Sequence, residues 1–354
     1  MYVFFFYLSK YYGGAERRLF RVFNKIAEDG LDFDLLIIGD RNIVEEFIKS
    51  NVDKCYLKVV VCKNVLQAIK IIFKRKYRVI CFTDSRLLYL PILLISMVTR
   101  TKRLMIIASI KLSELEFENY IAKLVFNFTI KISKHIDVLY PSKVPMLRKV
   151  YPNKKFTTTP NSFTDLNKFI PNEKKNIISF VSRLVKDKNA KLFLESIVLC
   201  KEIIRERKYK VYLCGNGPEF SNLLKYVEDK NISDIVELKG YINPKDILPF
   251  SRIFMSLQIN ENYPSQSLLE AISSGCYIVA SNKGDTKCIV KEQFGKLVEL
   301  NEKSISKSII DYIESSDNNK ELVIQQARDF AIKNFDISIS YKYFKNILLN
   351  LGEK

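Results

Sequence analysis

Short apolar runs rich in β-branched and aromatic residues recur along this chain. Each is followed by a longer stretch with helical spacing, and that alternation constrains the fold more than any other feature. In the first half the runs fall at residues 2–7, 34–38, 58–62, 79–82, 104–108 and 136–140, with amphipathic stretches such as 15–28 and 112–133 between them. The second half repeats the scheme at 177–181, 211–214, 236–238, 253–257 and 277–280, with helical patterns at 190–206 and 265–274. Alternation of this kind predicts parallel sheets with helices on both faces. The 354 residues suit two such domains. We read residues 1–163 as one doubly wound, Rossmann-like domain and 176–335 as a second. The polar stretch 164–175, which carries Pro171, reads as a linker, and 336–354 as a C-terminal helix. Two doubly wound domains facing across a cleft would present their strand C-termini, and hence their ligands, to that cleft.

The formal net charge of +18 speaks to partners and not to fold. Phosphorylated substrates, an anionic membrane surface and nucleic acid all fit it, as does a solvated basic surface. No basic stripe interleaved with aromatics and no known nucleic-acid module is present, so nucleic acid is not expected as a partner. The seven cysteines form no CxxC pair, and several lie in apolar runs. They read as small buried hydrophobes in a reducing compartment. Met1 leads straight into an apolar run without a charged n-region, which argues against a secretory signal and for a cytoplasmic protein. The longest apolar run, Leu87 to Val98, is too short to span a bilayer.

Four motifs carry the chemistry. Gly13-Gly14-Ala15-Glu16-Arg17 follows the first strand and opens a helix, where bare backbone and free N–H groups suit an anion. It is not the GxGxxG fingerprint, so a nicotinamide cofactor is disfavoured. Arg183 and Lys188 lie five residues apart after a strand, and together could neutralise a departing diphosphate. Gly215 and Gly217 follow the next strand, ahead of Pro218. A plain turn also explains them. The block from Asn260 to Gly275 begins a helix at Pro264 and Ser265, so the amides of Ser265, Gln266, Ser267 and Leu268 could hold phosphate oxygens. Glu270 lies five residues on, about 7–8 Å along a helix, a separation that suits a ribose whose phosphates sit at the helix end. His135, the single histidine, reads as structural, and no ligand cluster for a metal is visible.

In order and spacing these motifs resemble the retaining glycosyltransferases of family 4, which have the GT-B fold. The resemblance takes in Gly13 to Arg17, Ser182-Arg183-Leu184 with Lys188, Gly215-Asn216-Gly217, Gly240-Tyr241-Ile242, Leu268-Leu269-Glu270-Ala271 with Gly275, and the Ser281 to Asp285 loop. It implies that Arg183 and Lys188 bind the donor diphosphate and Glu270 the ribose. Tyr263, Pro264, Ser265, Gln266, Ser267 and Leu268 would hold sugar and phosphates, Tyr241 and Ile242 would frame the base, and Gly14 would sit against diphosphate and acceptor. Two positions depart from the family. The Glu usual eight residues before the ribose-binding Glu is replaced by Asn262, with Glu261 beside it, so either Asn262 or Glu261 would contact the sugar. Where the family often has His after the strand at 104–108, this chain has Ser109-Ile110-Lys111.

The activity so implied is transfer of a sugar, with retention and without metal or cofactor, from a nucleotide diphosphate sugar, a UDP-sugar, as co-substrate. The acceptor would be a glycan or lipid-linked intermediate of bacterial surface polysaccharide (lipopolysaccharide or capsule). Separately, the apolar run from Leu87 to Ile95 near Arg100, Lys102 and Arg103 suggests a cytoplasmic protein peripheral on an anionic membrane surface, although a helix buried in the first domain's core explains the run itself equally well. Two alternatives are a sugar-nucleotide epimerase of the same fold, which needs further acid–base groups near the sugar, and a basic nucleic-acid-binding protein, which would show salt-dependent DNA binding.

Overall fold

The computed structural model describes residues 1–8 and 14–353 and divides into two units, 1–163 with 337–354, and 164–336. The first unit holds strands β1 (Tyr2–Tyr7), β2 (Phe33–Ile38), β3 (Lys58–Cys62), β4 (Val79–Thr83), β5 (Lys102–Ile107), β6 (His135–Val138) and β7 (Phe156–Thr158). Among the described residues they form one parallel sheet in the order β3-β2-β1-β4-β5-β6-β7. Its central strands are buried on both faces, as a parallel sheet covered by helices requires: β1 reads YVFFFY and β2 FDLLII. The crossovers are α1 (Gly14–Glu28), α2 (Arg41–Lys49), α3 (Val65–Arg75), α4 (Leu90–Val98), α5 (Ile110–Ser113), α6 (Tyr120–Ile132) and α7 (Val144–Val150).

The second unit holds β8 (Lys175–Val181), β9 (Lys210–Cys214), β10 (Val236–Gly240), β11 (Ser251–Ser256), β12 (Tyr277–Ser281) and β13 (Gly295–Val298), again parallel, in the order β10-β9-β8-β11-β12-β13. Its helices are α8 (Ala190–Leu199), α9 (Lys201–Glu206), α10 (Phe220–Asp229), α11 (Gln266–Ser273), α12 (Glu302–Glu314) and α13 (Asp317–Asn334). The last helix, α14 (Ile337–Gly352), returns to the first unit, where Phe344 meets Phe23 of α1 edge to face at 5.7 Å. There Tyr343 also donates to the buried Asp137 of β6.

Three sequence expectations need correcting. The stretch 164–175 is packed into the second unit and is not a free linker: Lys174 Nζ donates to the carbonyls of Ser251 (2.8 Å) and Ser274 (2.5 Å), and Arg328 Nη1 donates to that of Phe169 (3.0 Å). The helical pattern at 112–133 is two helices, because Leu115 turns left-handed (φ 59) and Asn119 caps a new start by accepting from Ala122 N at 2.8 Å. The pattern at 190–206 is likewise interrupted, at Cys200.

Both sheets reverse their winding at one place, between β1 and β4 in the first unit and between β8 and β11 in the second. The carboxyl ends of strands at such a switch point are where doubly wound sheets bind ligands.

Candidate active site

In the second unit the loop after β8 carries Arg183 and then a tight turn, Lys186–Lys188, before α8. Arg183 is exposed and Lys188 half-buried. Lys188 Nζ donates to Gln258 Oε1 at 3.0 Å and lies 3.8 Å from Asp187 Oδ2. Burial lowers the Lys188 pKa from its ordinary value, the Arg183 charge adds to that, and Asp187 opposes it. The two cations are thus close enough to sense each other, and an anion placed between them would relieve both effects.

The loop after β11 is tied to the same place. Asp187 Oδ1 accepts from Asn260 N at 3.2 Å and Nδ2 at 2.6 Å, and the Asp187 carbonyl accepts from Ile259 N at 2.9 Å. Gln258, which positions Lys188, is buried and donates to Ser256 Oγ at 3.3 Å. Sequence reasoning singled out neither Asp187 nor Gln258. The one signal for Gln258 is an amide directly after the buried end of β11.

The glycines at 215 and 217 serve this loop assembly. Gly215 has φ +145, and a Cβ there would fall 1.8 Å from the Ser182 carbonyl oxygen; one on Gly217 would fall 2.2 Å from that of Leu184. What their bare backbone accommodates is therefore the chain's own β8 loop, locked by Leu184 N donating to the Asn216 carbonyl at 2.9 Å. Beside them, Tyr241 and Ile242 follow β10, with Tyr241 77% exposed.

Helix α11 begins directly after the cis Tyr263-Pro264 bond, with Ser265 at its N-cap. The Ser265 side chain makes no capping bond; its Oγ lies 3.4 Å from Ser267 Oγ. The first amides of the helix, from Gln266, Ser267 and Leu268, are thus left without a side-chain cap, while Asn301 caps α12 and Ser316 caps α13. Glu270, one turn in, is buried and accepts from Gln266 Nε2 at 3.0 Å. A carboxylate so placed, one turn in from amides without a side-chain cap, is an acceptor of the kind hydroxyl groups donate to.

The pair at 261 and 262 divides cleanly. Glu261 Oε1 accepts from Asp285 N at 2.6 Å, and a Cβ on Gly284 would fall 1.9 Å from Glu261 Cδ. Its carboxylate is therefore seated on the turn after β12. Asn262 is exposed and lines a small recess with Gln258, Ser265, Leu268, Lys283 and Thr286.

In the first unit, Gly13 lies outside the described residues, and Gly14 opens α1. Glu16 in the first turn of α1 pairs with Arg86 Nη2 at 3.3 Å. Asp84, at the end of β4, accepts from the amides of Ala108 (2.8 Å) and Ser109 (2.9 Å), and desolvation pushes its pKa up to about 6. Ser109, which stands where the family often has His, caps α5. His135 is buried against Thr157 Oγ1 at 2.8 Å, and burial lowers its pKa to about 4, which fits a structural role. Among the described residues there is no cluster of three His, Cys, Asp or Glu able to hold a metal ion.

Several solved structures share this architecture across nearly the whole chain. HepE of Anabaena in complex with UDP superposes with a TM-score of 0.80 at 13% identity, covering 99% of this chain and 100% of that one. A glycosyltransferase from Rickettsia africae gives 0.75 at 16% identity (99% and 98% covered), and sucrose-phosphate synthase from Thermosynechococcus elongatus gives 0.73 at 14% (99% and 98%). The fold is that of the GT-B glycosyltransferases: two parallel-sheet α/β units of seven and six strands. Within it, residues 162–330, nearly all of the second unit, match the model of the family described as glycosyl transferases group 1. A curated relative, the UDP-Gal:alpha-D-GlcNAc-diphosphoundecaprenol alpha-1,3-galactosyltransferase of Escherichia coli, is 33% identical over 170 residues. That match spans 45% of this chain and 43% of the relative, less than half of either.

Proposed function

We propose that this chain is a retaining glycosyltransferase that moves a sugar from a UDP-sugar to a glycan or lipid-linked acceptor in bacterial surface polysaccharide synthesis. The observation that carries this reading is the joint placement, at the carboxyl edge of the second sheet, of the Arg183–Lys188 pair, the uncapped start of α11 and the buried Glu270. Arg183 and Lys188 take the diphosphate, α11 adds its free amides, and Glu270 takes the ribose hydroxyls. Tyr241 and Ile242 frame the base, and Asn262 faces the sugar from the recess it lines. Glu261 acts on the sugar only through the turn it holds.

Breaking the bond from the sugar anomeric carbon leaves negative charge on the diphosphate. Fixed cations and helix amides stabilise that charge more than they stabilise the intact donor, which is how such a site accelerates the step. With that charge supplied by Arg183 and Lys188, we take the reaction to need neither metal nor cofactor. The Escherichia coli relative, named for a UDP-sugar donor and a diphosphoundecaprenol-linked acceptor, supports both substrate classes. The test is a nucleotide-sugar panel read by thermal stabilisation, followed by transfer assays on a lipid-diphosphate sugar. Stabilisation by UDP-sugars and transfer in excess EDTA are expected. Stabilisation by no nucleotide sugar would refute the assignment.

A further inference from the structure

The positive charge of the chain is concentrated. Residues 54–113 hold thirteen Lys and Arg and a single acid, the half-buried Asp84. Helices α3 and α4 lie in this segment and pack against each other on one face of the first sheet. Their inner sides are ordinary core: Ala68 and Ile72 from α3, Ile92 and Leu93 from α4. Their outer sides are not an ordinary solvent face. On α3, Leu66 (69% exposed) and Phe73 (59%) flank the exposed Lys70 at helical spacing. On α4 and the turn before it, Leu87, Leu88, Leu94, Met97 and Val98 are all exposed, and no ionisable side chain but the buried Tyr89 occurs from Leu87 to Thr99. Lys63 just before α3, Lys74 and Lys76 at its end, and Arg100 just after α4 are all exposed. In the second unit the exposed large apolar residues stand one or two to an element, as at Leu199, Leu224 and Ile259.

We infer that the α3–α4 face of the first unit docks on an anionic lipid bilayer, with the exposed Leu87, Leu88, Leu94, Met97 and Val98 entering the interface and the nearby lysines and arginines meeting the headgroups. An apolar helix face in a cationic frame matches a surface with anionic headgroups above hydrocarbon. A second copy of this chain matches it poorly, since a symmetric contact would set one cationic frame against another. No helix among the described residues is long and apolar enough to cross a membrane, so attachment by this face is peripheral.

The inference does not depend on the transfer reading, and its test uses the full chain without substrate. Sedimentation with phosphatidylglycerol-containing vesicles and with phosphatidylcholine vesicles, at low and high salt, reads the docking. Binding to the anionic vesicles that weakens with salt is expected. The double variant Leu94→Glu with Val98→Glu changes only exposed positions and should keep its melting temperature while losing about tenfold or more in partitioning. Because the chain contains no Trp, Leu94→Trp gives a single-site reporter. Its emission should shift to the blue with anionic vesicles. Equal binding to both vesicle types, binding without an emission shift, or a wild-type dimer in light scattering that the double variant converts to monomer would each overturn the inference. UDP binding measured without vesicles reports separately on the transfer reading.

Discussion

The two sheets reverse at equivalent places and carry different chemistry there. At the β8/β11 reversal the side chains are fixed by one another: Asp187 ties two loops together, Gln258 holds Lys188, and Glu270, one turn into α11, is buried and accepts from Gln266. At the β1/β4 reversal the described groups are the Glu16–Arg86 pair and an Asp84 that organises the turn at Ser109. The second unit carries Arg183 and Lys188 in the loop at the end of β8. The first unit concentrates its positive charge between residues 54 and 113, with Asp84 the one acid in that segment. A diphosphate needs a preorganised site, because electrostatic stabilisation of a leaving group depends on donors that do not have to reorient.

The largest effect expected from this contrast is on transfer. Lys188→Ala and Arg183→Ala should each lower the rate by about 10²–10³, the scale of one lost transition-state donor, with the fold intact by circular dichroism. Substituting Arg86 in the first unit should cost far less. Near-normal transfer in both Lys188→Ala and Arg183→Ala would erase the distinction between the two edges.

Glu270→Gln comes next. It should weaken UDP and UDP-sugar alike by about tenfold, because the ribose is common to both and the bond lost is charge-assisted. Calorimetry on the two ligands checks this, and a loss confined to the UDP-sugar would move Glu270 from the ribose to the sugar.

Positions 261 and 262 sharpen the comparison within the site. Glu261→Ala removes the acceptor of the Asp285 amide and should lower the melting stability of the second unit by about 1–2 kcal/mol. Asn262→Ala should leave stability unchanged and alter selectivity among UDP-sugars. If the two variants exchanged phenotypes, the seating of Glu261 on the Gly284–Asp285 turn would not be its main role.

The smallest effect concerns Asp84. Its folded pKa, about 6, lies above the ordinary aspartate value, so the folded state holds the proton more tightly than the unfolded one. Ionisation therefore costs stability as pH rises through roughly 4 to 6. Asp84→Asn carries no such charge and keeps an amide oxygen for the Ala108 and Ser109 N–H groups. It should stabilise the first unit at pH 7 by roughly 1–2 kcal/mol relative to wild type, and the difference should vanish near pH 4. A difference independent of pH across that window would argue against the assignment.

The strands buried on both faces were legible because continuous apolar runs such as YVFFFY admit few other readings. β7 and β13 were not, being three- and four-residue strands at sheet edges, where one side is half-exposed and the run is too short to register. The helical pattern at 112–133 hid a break that Asn119 signals only in hindsight, since an N-cap residue inside a periodic stretch also occurs on exposed helix faces. At the candidate site, Arg183, Lys188 and Glu270 could be singled out because strand ends and helix starts are readable from pattern. Asp187 and Gln258 could not, because a lone polar side chain shows its partner only in three dimensions. The choice between Glu261 and Asn262 turns on a one-residue register after β11, which composition does not set.

If the second unit's strand ends hold the donor through cations and helix amides without metal, UDP must bind when divalent ions are removed. Titration calorimetry of UDP into the full chain in excess EDTA tests it most directly, comparing wild type with the Arg183→Ala, Lys188→Ala double variant. Wild type should bind UDP in the chelator, and the double variant should lose about 10² or more in affinity. Equal affinity in the two proteins, or wild-type binding that appears only when Mg²⁺ or Mn²⁺ is restored, would contradict it.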